Sequence, residues 1–139
     1  MSAAQSWLIV GGLLNLFIGT LAAYALYWVR VGNPTAPAPH YALIAHRITI
    51  LNGVLLLSLS LAIEHTNFAP AINTLLAVFE VVATLLADGR MIFNWARGLE
   101  DEFAQGTELQ RRFVGITNLL HLVAISGILF GVTRTALGL

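Results

Sequence analysis

Residues 7–29 read WLIVGGLLNLFIGTLAAYALYWV, an apolar run with no charged side chain, broken only by Asn15 and Thr20. At ~1.5 Å of helical rise per residue, about 20 such residues cross the hydrocarbon core of a bilayer. A segment in that solvent must be helical, because lipid offers no partner to an open backbone N–H or C=O. Three further runs follow: about Tyr41 to Ile63, about Ala69 to Trp95 with Glu80, Asp88 and Arg90 inside it, and Phe113 to about Val132. Turn-forming stretches separate them. These are Gly32-Asn33-Pro34 with Pro37 and Pro39, then Glu64 to Pro70, then Arg97 to Thr107 with its acids and two glycines. The fold class expected is all-α, an integral membrane four-helix bundle forming a single domain over 1–139. Its helices are expected at about 7–31, 40–63, 69–97 and 109–135, joined by short loops.

Composition supports this class. Hydrophobic residues make up 58% of the 139, and charged residues 10%, against ~25% charged in an ordinary soluble domain. Seven Arg balance seven acids, with no Lys, so there is no polycation for phosphates and no nucleic-acid partner is expected. The absence of Cys removes disulfides, thiolate catalysis, iron–sulfur clusters and Cys-ligated zinc. The first run has no charge before Arg30. Without a basic leading segment it reads as a retained span rather than a signal peptide.

Arg30, Arg47, Arg97, Arg111 and Arg112 all lie at the ends joined by the first and third loops, and Arg134 lies opposite. The positive-inside bias then puts those two loops in the cytoplasm and both termini outside it. A bacterial inner membrane is the expected location. Tyr27 and Trp28 at one end of the first span, and Trp7 at the other, suit the interfacial aromatic belts.

Polar groups inside spans are costly, so they are functional candidates by default. They are Asn15, His46, Arg47, Asn52, Glu80, Asp88, Arg90, Asn94, Asn118 and His121. Most fall in the half nearer the first and third loops, where they are expected to converge on one polar chamber. Asn and His also serve as interhelical hydrogen-bond partners, and Arg90 and Asp88 can reach the interface by snorkelling. Zinc would need three or four ligands. His46, His121, Glu80 and Asp88 supply that number, but no H-x-x-x-H or E-x-x-H spacing groups them. Haem needs only one axial His and an apolar slot, for which His46 or His121 serves. Gly11, Gly12, Gly19, Gly53, Gly115, Gly127 and Gly131 are expected to let helices approach closely, the last two forming a GxxxG.

The stretch Ala45-His46-Arg47-Ile48-Thr49-Ile50-Leu51-Asn52-Gly53 reads A-H-x-x-x-x-L-N-G and opens a helix just after a proline-rich loop. It resembles the second helix of the small membrane isomerases typified by styrene oxide isomerase, and the corresponding stretch of the hydroxylaminobenzene mutases. Beyond this helix the likeness is one of length and four-span topology. The resemblance implies haem b with His46 as the iron's axial ligand, His121 being a second candidate ligand. It implies Asn52 as the catalytic polar group at the substrate oxygen, and a homotrimer with haem near the subunit interfaces. From its charge, Arg47 is a candidate partner for a haem propionate. Six helical positions turn Asn52 about 240° from His46, which suits a site built between protomers.

In the isomerases a Tyr of the third helix stands near the haem. An ungapped reading puts Met91 there, and the chain's tyrosines, Tyr24, Tyr27 and Tyr41, all lie elsewhere. Weight shifts towards the mutase branch or an uncharacterised haem relative. The activity implied is a redox-neutral Lewis-acid rearrangement of a small aromatic epoxide or arylhydroxylamine that enters from the lipid bilayer. Two other readings stand beside it: a bis-His haem electron carrier using His46 and His121, and a cofactor-free accessory or transport subunit using Glu80 and Asp88.

Overall fold

The computed structural model describes residues 1–139. The helices are α1 (Ala3–Gly32), α2 (His40–Ala62), α3 (Pro70–Ala96), the short α4 (Glu102–Gln105) and α5 (Glu108–Ala136), with one 3-10 turn at Ile63–His65 after α2. There are no strands. α1, α2, α3 and α5 are long and apolar enough to cross a membrane, and they make the chain an all-helical four-helix membrane bundle.

Local chemistry sets the ends. α1 begins ahead of its apolar run because Ser2 Oγ accepts the Gln5 N–H at 3.2 Å. α3 opens on Pro70, whose missing N–H would have no helical partner there anyway. It closes at Gly98, with φ +62°. There the Gly98 N–H reaches Trp95 O and the Leu99 N–H reaches Asn94 O, a pairing that needs a left-handed residue glycine adopts without strain. α5 starts with a reciprocal cap: Gln110 N–H donates to Thr107 Oγ1 at 3.3 Å and Thr107 N–H to Gln110 Oε1 at 2.7 Å. The third loop is more than a spacer. Asp101 caps α4 within it, accepting from Phe103 N–H at 2.8 Å and Ala104 N–H at 3.2 Å.

The four spans do not pack equally. α1, α2 and α3 pack on one another, with α1 and α2 sharing the most extensive seam, whereas α5 packs chiefly on α3 and barely touches α2. The α1–α2 seam is a backbone contact. A Cβ on Gly12 would meet Gly53 O at 3.0 Å, and one on Gly53 would meet Gly12 O at the same distance. Seven residues further along α1, and four residues back along the antiparallel α2, a Cβ on Gly19 would stand 2.6 Å from Thr49 Oγ1. Gly11 makes room for Val81 of α3, Gly127 for Leu76, and Gly131 for Thr66 and Phe68, so the GxxxG of α5 is used within the chain. Gly115 departs from expectation, because no atom of a neighbour lies within 4 Å of its Cβ position.

Near the termini the core is apolar, with Leu8, Leu56, Ile63, Val81 and Ile128 at its centre. Towards the first and third loops it shrinks to Tyr41, Ala45 and Met91. The polar side chains occupy the remainder.

Candidate functional site

Four polar contacts line the side of the bundle where α2, α3 and α5 face one another. Asn52 Nδ2 donates to Asp88 Oδ1 at 2.9 Å. Glu80 Oε1 lies 2.9 Å from His121 Nδ1. Arg90 Nε lies 3.5 Å from Glu102 Oε2, and Asn94 Nδ2 donates to that same oxygen at 2.7 Å. Glu80 and Asp88 lie two turns apart on one face of α3, and Arg90 lies in the same turn as Asp88 but about 200° round the helix; α3 packs on α1, α2 and α5. Their partners come from α2, α4 and α5.

Burial here is deep. Glu80 is 0% exposed and Asp88 1%. Both Glu80 carboxylate oxygens, Asp88 Oδ2, and Arg90 Nε and Nη1 are buried without a hydrogen-bond partner. The two short separations do not contradict this. Glu80 and His121, and likewise Arg90 and Glu102, stand at ion-pair distance without the N–H aligned on the oxygen. Buried polar groups left so cost about 1–3 kcal/mol each, so this side holds chemistry that packing alone does not require. A cavity of about 120 Å³ lies among these groups, lined by Asn52, Thr84, Arg90, Thr117, Asn118 and His121.

Asn94 lines a separate opening with Arg90 and Glu102, while Asn52, Arg90, Asn118 and His121 border one small cavity, to which Asp88 is tied through Asn52. His46 is not in it. Its ring faces α1, where Nδ1 lies 3.0 Å from the Gly19 carbonyl, so the roughly 240° between His46 and Asn52 sends them to different helices. A carbonyl only accepts, so Nδ1 is the donor in this contact, and in the neutral ring Nε2 keeps its lone pair. That is the form in which a histidine ligates a metal, with its other nitrogen held by a carbonyl. The donor at His46 fits an axial iron ligand.

Arg47 is exposed and enters no ion pair. Asn15 is fully buried but bonds within its own helix, Nδ2 to Gly11 O at 2.8 Å. His46, His121, Glu80 and Asp88 do not assemble as zinc ligands, since no three His, Asp or Glu side chains stand within metal-binding reach of one another. Met91 is buried and packs with Tyr41 and Ala45. A tyrosine does stand beside this position, contributed by α2, and its hydroxyl accepts the Glu102 N–H at 3.0 Å.

Two participants escape a reading of the sequence. Glu102 sits in an acidic triplet that reads as solvated loop, yet it folds back to 12% side-chain exposure against Arg90. Tyr41 reads as the start of an apolar run, yet it anchors α4. The only sequence signal for either is Asp101, a good helix cap two residues before the apolar Phe103. Compared with protein-family models, curated proteins and solved structures, the chain matches none.

Proposed function

We propose that this chain is a haem-dependent membrane isomerase carrying out a redox-neutral rearrangement of a small aromatic epoxide or arylhydroxylamine. The observation that carries the reading is the His46–Gly19 contact. It holds one ring nitrogen and leaves the other free, six residues before an asparagine that is tethered to a buried carboxylate. When bound, ferric haem b supplies a Lewis-acidic centre for the substrate oxygen. His46 offers Nε2 to it, and the Gly19 carbonyl fixes the ring and strengthens its donation. Asn52 gives one amide N–H to Asp88 and keeps the other for a substrate oxygen. The apolar spans exclude water that would trap a developing benzylic or aryl cation.

Because His46 and Asn52 serve different faces of α2, the reading includes a homotrimer in which neighbouring protomers complete each site. It also includes a bacterial inner membrane, with the first and third loops cytoplasmic and both termini outside. Arg47, exposed and unpaired, is free to meet a haem propionate.

A second reading has its own observation. The partnerless oxygens of Glu80 and Asp88 suit a cofactor-free accessory or transport subunit that moves protons or cations. A bis-His electron carrier would need His121 as well, whose Nδ1 lies 2.9 Å from Glu80 Oε1 without the aligned hydrogen bond that His46 makes to Gly19.

The deciding experiment is the absorption spectrum of protein purified from haem-supplemented cells, beside His46→Ala and His121→Ala. The isomerase reading expects a Soret band lost in His46→Ala and kept in His121→Ala, followed by turnover of aryl epoxides or arylhydroxylamines. A low-spin spectrum altered by either substitution would favour the electron carrier. No Soret band at all would sink both haem readings and leave the acids.

A further inference from the structure

α4 is tied to the bundle in two different ways. On the α5 side Arg111 holds it, Nη1 donating to Phe103 O at 3.2 Å and to Gly106 O at 2.9 Å. On the α2–α3 side every polar tie runs through Glu102. Its N–H donates to the Tyr41 hydroxyl at 3.0 Å. Its Oε2 accepts from Asn94 Nδ2 at 2.7 Å and faces Arg90 Nε at 3.5 Å. No residue of α4 is buried, and Phe103 is 59% exposed, so no apolar anchor supplements these ties. Between α3 and α4 the chain passes Gly98, with φ +62° and open space at its Cβ position. A glycine there can change its dihedral angles without a clash.

Two openings meet beneath Glu102. A cleft of about 370 Å³ between α3 and α5 has Glu102 in its wall, and the cavity of about 120 Å³ has Asn52 and Thr84 in its own. Arg90 is the one residue that borders both. With Glu102 in place, Arg90 Nε and Nη1 are sealed from solvent and donate to nothing. That penalty offsets part of what the Glu102 contacts contribute. Arg90 lies in the last two turns of α3, so once Glu102 leaves, its long side chain can extend to the interface and meet water. An element held by few contacts, one of which leaves its partner unsatisfied, opens without unfolding the rest. We infer that α4 is a hinged flap, clamped to α5 by Arg111 and latched by Glu102, whose release opens a polar path from the cleft past Arg90 to the cavity beside Asn52. The flap does not depend on His46 binding iron.

The chain has no cysteine, so one introduced thiol reports the path. Thr84→Cys puts it in the wall of the inner cavity, at a position 1% exposed. Ser60→Cys puts it at a position 3% exposed, in the half of the bundle nearer the termini. The probe is a trimethylammonium methanethiosulfonate, whose fixed charge keeps it out of the hydrocarbon, applied to the full chain in nanodiscs. Adding Glu102→Ala is expected to speed modification of Thr84→Cys by about tenfold or more, as loss of a charge-assisted hydrogen bond implies. Tyr41→Phe, which removes only the acceptor of the Glu102 N–H, is expected to speed it about fivefold, as one neutral hydrogen bond implies. The rate at Ser60→Cys is expected to stay the same in both backgrounds. An unchanged rate at Thr84→Cys would overturn the flap. So would an equal acceleration at Ser60→Cys, which marks a bundle loosened throughout. If Glu102→Ala does not fold, Tyr41→Phe decides by the same two readings.

Discussion

The α1–α2 seam and the α3–α5 seam solve the same problem in opposite ways. Along α1–α2 the helices touch backbone to backbone at Gly12 and Gly53, and a polar contact two turns away, His46 to Gly19, crosses a gap that a glycine opened. Along α3–α5 the closest contacts are between side chains, α5 has a single extensive neighbour, and two cavities remain. Every ionisable side chain buried in the middle of the bundle lies on this second side. Lipid is as apolar as leucine, so tight association in a membrane comes from close packing rather than from hydrophobic burial. Where small residues permit that packing there is no space for chemistry. Where they do not, polar groups can enter, and there they must find partners or a ligand.

The largest expected effect comes from breaking the tight seam. Gly53→Leu puts a side chain where Leu16 Cγ would lie 2.7 Å from its Cβ and the Gly12 carbonyl 3.0 Å. Equilibrium unfolding in mixed micelles should show a loss of about 3 kcal/mol. A loss below about 1 kcal/mol would mean that the backbone contact does not hold the two helices.

An intermediate effect is expected on the open side. Asn52→Leu removes the one hydrogen bond made to the Asp88 carboxylate, whose other oxygen already lacks a donor. About 2 kcal/mol should be lost. Adding Asp88→Leu should restore most of it, because replacing both partners by apolar groups leaves nothing unsatisfied. If the double variant is as unstable as the sum of the two single ones, the pair is not the coupled unit described here.

The smallest effect sharpens the comparison. Gly115 on α5 has open space at its Cβ position, so Gly115→Ala should raise stability by about 0.5 kcal/mol through better helix propensity. A measured loss would show that this face of α5 is covered closely by something outside the single chain.

Much of the fold is legible in the residues themselves. Four apolar runs of sufficient length leave a spanning chain no alternative to helices; Pro34 and Gly98 mark where two of them stop, and Pro70 where the third starts. The pairing of the polar groups is less legible. Asn52 and Asp88 stand 36 residues apart, and no periodicity relates them. His46 and His121 look interchangeable as sequence, yet one turns to a carbonyl on α1 and the other to a carboxylate on α3. Glu102 cannot be told from its acidic neighbours until α4 folds it onto Arg90.

Sequence alone determined that this chain is helical, belongs in a membrane and carries more polar groups than its spans need. Those properties follow from hydropathy and backbone hydrogen bonding, which act on each segment separately. Only the tertiary structure decided which helix pair would be tight and which open, and so which side chains would meet. That choice depends on whether a glycine on one helix falls opposite a carbonyl on another, a property of two segments together and of neither one by itself.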